Sequence, residues 1–116
     1  MFITYETLRR AGACYSQRQT FREFFPNGIE VTPGLCVVHA FDFDFNWAGR
    51  ALLSGDTRVC FVLSVQELYR NRTSKLVSLG CVGDLSEYLK IERGTGERFT
   101  LAVAELFGKL ALKEEI

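Results

Sequence analysis

Helix-start and chain-reversal signals recur along this chain at spacings that leave room only for short elements. Thr4 precedes "YETLRRA" as an N-cap, and Gly12 follows its end. In "ACYSQRQTFREFF", Cys14, Phe21, Phe24 and Phe25 fall at helical spacing, before a turn forced by Pro26-Asn27-Gly28. Thr32 followed by Pro33 reads as an N-cap with proline at the first helical position. That helix turns Leu35, Val38 and His39 inward, although Gly34 weakens it. Ser54-Gly55-Asp56 closes one helix and caps the next, Gly80 ends "TSKLVSLG", Asp84 caps "LSEYLKIE", and Gly94 with Gly96 bracket a turn.

Two segments decide the class. "ERFTLAVAELFGKLALKEE" is the clearest helix: Phe99, Val103, Leu106, Phe107 and Leu110 mark one face, and Glu97 lies in the first turn. Gly108 costs about 1 kcal/mol there relative to alanine, which is tolerable if a neighbouring helix approaches it. In "DTRVCFVLSVQELYRNR", Arg58, Phe61, Val62, Val65, Leu68 and Tyr69 form a helical stripe. "VCFVL" also suits a buried strand over 58–63, and Ser64 with Glu67 match a capping box that would start a helix after it. Helix is the favoured reading. The expectation is an all-α, mainly helical fold: a compact bundle of six to eight short helices in one domain spanning 1–116, about 13 Å in radius.

The densest chemistry lies in "HAFDFDFNWAGRALL", residues 39–53. Phe41, Phe43 and Phe45 alternate with Asp42 and Asp44 as in a short strand, but the pattern fails at Asn46-Trp47-Ala48. From Trp47 onward it fits a helix, with Asp44 placed as N-cap. We read "AFDF" as a kinked, aromatic-lined connector in which the aspartates have a structural role and the rings are interior packing. His39 and Asp42 share a helical face at i, i+3, but no second histidine or metal-ligand spacing accompanies them, so neither a metal nor a catalytic assignment is made.

Composition narrows the partners. The chain is 47% hydrophobic with only two prolines, as a globular domain requires. Fourteen basic residues balance fourteen acidic ones, which disfavours a general nucleic-acid binder dependent on uncompensated cations. No run approaches a membrane span, and charges by residue 6 disfavour a signal peptide, so a cytoplasmic setting is expected. Cys14, Cys36, Cys60 and Cys81 are widely spaced without a CxxC pair and read as reduced, buried, inert thiols. "GCVGD" and "RGTGE" match no phosphate-binding loop and are ordinary turns, and no cofactor is expected.

Two basic groups stand out. Arg18 and Arg22 share a helix face at i, i+4, with Arg9 and Arg10 nearby in sequence. Tyr69, Arg70, Arg72 and Lys75 place an aromatic beside three cations. Arginine and tyrosine are the residue types that dominate protein interfaces, and the same groups can hold a nucleic-acid backbone.

Residues 3–53 resemble a segment of small uncharacterised phage and prophage proteins, whose pattern runs AC…Q…FR..F and then G..V(T/E)..LC..HA..FDW.WA…LL. Ala13-Cys14, Phe21-Arg22, Phe25, Gly28, Val31-Thr32, Leu35-Cys36, His39-Ala40, Phe43-Asp44, Trp47-Ala48 and Leu52-Leu53 carry the match. Phe45 stands where that segment has tryptophan and Asn46 where it has aspartate. The resemblance implies a helical packing module beside variable partner segments, and it transfers no catalytic role. Residues 54–116 form the divergent half, where a specific activity is expected.

Together these readings point to a small phage-type, non-enzymatic protein that inhibits a host protein or ribonucleoprotein complex, in the manner of anti-CRISPR and other anti-defence inhibitors. Tyr69, Arg70, Arg72, Lys75, Arg18 and Arg22 are its expected contact residues. The alternatives are a nucleic-acid-binding regulator using the basic helix ends, and an enzyme using Cys/His or Asp/His chemistry.

Overall fold

The computed structural model describes the backbone of residues 1–80 and 85–114, with side chains at 1–72 and 96–114. Among the described residues the chain is mainly helical. The elements in order are β1 (Phe2–Ile3), α1 (Tyr5–Arg10), α2 (Tyr15–Phe24), β2 (Ile29–Glu30), α3 (Pro33–Val38), α4 (Phe45–Leu52), α5 (Gly55–Gly80) and α6 (Leu85–Lys113).

The short helices begin where capping chemistry places them. The Thr4 hydroxyl accepts from the Thr7 amide at 3.2 Å and the Thr7 hydroxyl accepts from the Thr4 amide, a reciprocal box at the start of α1. Thr32 accepts from the Leu35 amide at 3.1 Å with Pro33 at the first helical position of α3. Asp44 Oδ1 accepts from the Trp47 amide at 3.0 Å and opens α4. The stretch between α3 and α4 is the kinked connector the sequence implies.

The turn at Pro26-Asn27-Gly28 has a consequence not legible in the sequence. Gly28 adopts φ +84°, and the chain returns to pair β2 antiparallel with β1, Phe2 opposite Glu30 and Ile3 opposite Ile29. A Cβ at Gly28 would lie 2.9 Å from both the Ile3 carbonyl and the Phe2 ring, so glycine is needed twice over.

The second half departs from the expected short helices. Residues 58–63 are helical, part of a single 26-residue α5 that runs through "TSKLVSLG". The glycine turn expected at Gly94 and Gly96 does not occur: α6 is one helix of 29 residues. Two interior glycines cost about 2 kcal/mol in propensity, less than burying two large apolar side chains returns at about 1.5–3 kcal/mol each. The cap expected at Asp84 lies outside the described residues. Helices of about 39 and 43 Å fit only along the longest molecular dimension of 50 Å, and they raise the radius of gyration to 16.0 Å.

α6 is the centre of the core, packed against α3, α4 and α5. Val103, Ala104, Phe107, Leu110 and Ala111 are buried along it, with Phe61 and Val65 of α5 and Leu53 after α4. Two glycines permit the closest approaches. At Gly108 an added Cβ would sit 2.6 Å from Pro33 Cα, so the start of α3 lies directly on α6, as the sequence cost at that position foreshadows. At Gly49 it would sit 2.1 Å from the fully buried Phe61 ring, which locks α4 onto α5.

The start of α5 is capped from the far end of the chain. The Glu114 carboxylate accepts from the Ser54 amide, the Ser54 hydroxyl and the Thr57 hydroxyl. Partial burial raises the pKa of this carboxyl, but the hydrogen bonds from Thr57 and Ser54 outweigh it and leave the group below the usual carboxylate value.

Some inward assignments do not hold. Val38 is 75% exposed and Phe24 47% exposed; Cys36 and Ala40 point inward instead, because a six-residue helix buries only one narrow stripe. Phe41 is exposed as well, and so is Tyr69, as an expected contact residue must be. Cys14 and Cys60 are exposed and only Cys36 is buried, all three as free thiols, while Cys81 lies outside the described residues. Cys14 is the N-cap of α2 and so lies before the helix rather than on its inner face.

Candidate interaction surface

The histidine-aspartate-phenylalanine stretch is built as packing. His39 caps the C-terminus of α3, and its Nδ1 lies 2.9 Å from Asp42 Oδ2. The ring is enclosed edge-on by Phe24 at 4.8 Å and Phe25 at 5.3 Å, with Phe43 at 6.0 Å. Behind it lies an apolar cavity of about 50 Å³ that Cys36 shares with His39. Burial pushes the Cys36 thiol up to about 11, so it stays protonated beside the imidazole. Asp44 spends Oδ1 on Trp47, and its amide donates to Gln17 Oε1 at 3.1 Å. Among the described residues no three His, Cys, Asp or Glu side chains are grouped to hold a metal ion.

The Ser16 hydroxyl at 3.4 Å and amides at the start of α2 lower the pKa of the exposed Cys14 thiol.

The two basic groups fare differently. On α2, Tyr15, Arg18 and Arg22 follow at i, i+3 and i+7, and docking of α1 brings Tyr5 against them. The Arg22 guanidinium lies 3.8 Å from the centre of the Tyr5 ring, in full cation–π contact. Arg18 lies 5.7 Å from both the Tyr5 and Tyr15 rings and donates to the Tyr5 hydroxyl at 3.5 Å. Arg18 Nε is buried without a hydrogen-bond partner, and neither guanidinium has a carboxylate partner among the described residues.

Arg9 and Arg10, close in sequence, are spoken for. Arg9 grips Glu6 through Nε at 2.9 Å and Nη2 at 2.5 Å, and Arg10 reaches it at 3.3 Å. Those contacts, Arg9 foremost, hold the Glu6 carboxyl down at about 2. Among the described residues, an arginine pair without acids therefore sits beside one that shares a single carboxylate.

The structure breaks up the second group. Arg72 turns inward, its Nη2 3.4 Å from where a Cβ on Gly96 would be, with Nε buried and unpartnered. Tyr69 packs edge-on to Phe99 at 6.4 Å, and Arg70 stays outside, 4.0 Å from Glu67. The Lys75 side chain lies outside the described residues. A cation lying across a helix at glycine is not visible in a linear sequence, because it needs α6 alongside.

The tyrosines are what sequence reasoning missed. Tyr15 was recoverable from its spacing to Arg18 and Arg22. Tyr5 was not, since only the α1–α2 packing places it.

No protein-family model matches the chain, and no curated protein or solved structure is significantly similar to it. Among the described residues, no helix is long and apolar enough to cross a membrane.

Proposed function

We propose that the protein acts by binding, as a non-enzymatic inhibitor of a host protein or ribonucleoprotein complex of the anti-defence kind, and that Tyr5, Tyr15, Arg18 and Arg22 form its principal contact face. The observation that carries this reading is the Arg18–Arg22 pair, held against tyrosine rings with no carboxylate partner among the described residues. Ring contacts, and for Arg18 the bond to the Tyr5 hydroxyl, restrain both guanidiniums before any partner arrives, so less side-chain freedom is lost on binding. Arginine and tyrosine in such a setting are the residues on which interface energy concentrates. Tyr69 and Arg70 on α5 supply a second contact region, while Arg72 serves the fold.

The resemblance of residues 3–53 to phage and prophage segments supports the setting, and the balance of charges supports a protein partner over a bare nucleic-acid backbone. The test is phage plaquing on a CRISPR-immune host that expresses the protein, with binding to the purified effector measured in parallel. Plaquing should recover, and Arg18→Ala with Arg22→Ala should weaken binding by about 30-fold or more, as loss of hot-spot arginines does. No recovery and no effector binding would overturn the inhibitor reading. A steep salt dependence of binding to DNA or RNA would replace it with the regulator.

A further inference from the structure

α6 is apolar on more sides than its neighbours cover. From Phe99 to Leu112 ten of fourteen residues are apolar, a composition expected of a helix enclosed all round. α3, α4 and α5 bury Val103, Phe107 and Leu110, while the stripe Ala102, Glu105, Leu106, Lys109 and Leu112 keeps part of its surface accessible, Leu106 with one side against the core. Ala102 and Leu106 line an open groove of about 430 Å³ between α5 and α6, with Leu68 opposite them and Glu67, Glu105 and Lys109 also lining it. Leu112 is 42% exposed further along the stripe.

We propose that this face pairs with the same face of a second copy, α6 antiparallel to α6, in a two-fold dimer. A two-fold interface must be self-complementary, and this stripe is. An axis beside position 107 sets Glu105 opposite the partner's Lys109, and Lys109 opposite the partner's Glu105. The same register puts the large Leu112 over the small Ala102 of the partner, at both ends, and brings the two Leu106 side chains together near the centre. Within one chain Glu105 and Lys109 already meet at 2.6 Å, so pairing converts two exposed local bridges into a four-charge network at the edge of an apolar seam. The alternative occupant, a basic helix from another protein, would find Glu105 matched by Lys109 at 2.6 Å and Glu67 beside Arg70 at 4.0 Å rather than a free acidic edge.

Light scattering coupled to size exclusion, at chain concentrations from about 1 to 100 µM, reads the outcome directly. The full chain should run as a dimer. Lys109→Glu places four acids at the edge and should raise the dimer dissociation constant by about ten-fold or more, and Glu105→Lys should do the same with four bases. The double exchange, Glu105→Lys with Lys109→Glu, restores every cross-pair and should return dissociation to within about three-fold of the parent. Both positions are surface sites, and far-ultraviolet circular dichroism checks that each variant stays folded. A chain monomeric throughout that range, whatever else its groove accepts, overturns the proposal. So does a dimer indifferent to the single reversals, or one that the double exchange fails to rescue. Arg18→Ala with Arg22→Ala should leave the dimer unchanged, which separates this surface from the binding face.

Discussion

Among the described residues the chain makes four helices of six to ten residues up to Leu53 and, after it, two of 26 and 29. Isolated helices of the first kind are marginal in water, so they depend on what holds their ends. Three of the four start on their own side-chain cap, at Thr4, Thr32 and Asp44, and phenylalanine rings from α2, its C-cap and the connector pack on one another and on His39 at the end of α3. The long helices rely on distant chain. Gly108 admits the backbone of α3, Gly49 admits Phe61, and Glu114 caps the start of α5 across 60 residues. The difference teaches where each half is vulnerable: the first at single local residues, the second at positions that matter only because something remote arrives there.

The sharpest way to break this contrast is to make one substitution in both kinds of helix. Gly108→Ala should improve helix propensity by about 1 kcal/mol, yet its Cβ would meet Pro33 Cα at 2.6 Å, and we expect a net loss of about 2–3 kcal/mol. Gly34→Ala in α3, with nothing within 4 Å of the new methyl, should instead gain up to about 1 kcal/mol. Urea midpoints of the two variants read the opposite signs. A stable Gly108→Ala protein would mean that α3 does not rest on α6.

A smaller effect tests the local caps. Asp44→Ala should cost about 1 kcal/mol, the usual loss for an N-cap acceptor. Ser54→Ala should cost less, because Glu114 retains the Ser54 amide and the Thr57 hydroxyl. Chemical denaturation of the pair ranks them, and a larger loss at Ser54 would contradict the remote cap.

The smallest effect is a pH dependence. Hydrogen bonding holds the folded Glu114 carboxyl below its usual 4.5 despite the burial that raises it. Its contribution is therefore present above the unfolded value and fades as pH falls through the lower folded one. Subtracting the pH profile of Glu114→Gln from the parent profile isolates it: the difference should shrink with acidification below about pH 4.5. A difference that grows on acidification would reverse the sign.

Much of the first half was legible. The caps at Thr4, Thr32 and Asp44 and the turn at Gly28 are written in residues three or four apart, and those residues find each other in any context. The return of β2 to β1 was not legible, since Phe2 and Glu30 carry no mark of pairing. Nor was the exposure of Val38 and Phe41, which depends on how far neighbouring helices reach. At the candidate surface, the Arg18 and Arg22 spacing was readable, whereas the fate of Arg72 depended on a glycine 24 residues away.

Sequence alone determined the helical class, the helix starts at Thr4, Thr32 and Asp44, and the inward place of Val103, Phe107 and Leu110 on the C-terminal helix, because each follows from contacts within a turn or two. Tertiary structure decided that 55–80 and 85–113 run unbroken, that Tyr5 joins the α2 arginines, and which side of α6 stays uncovered. Glycine and charged residues signal a break only through small propensities, and packing along a second helix supplies more free energy than those propensities withhold.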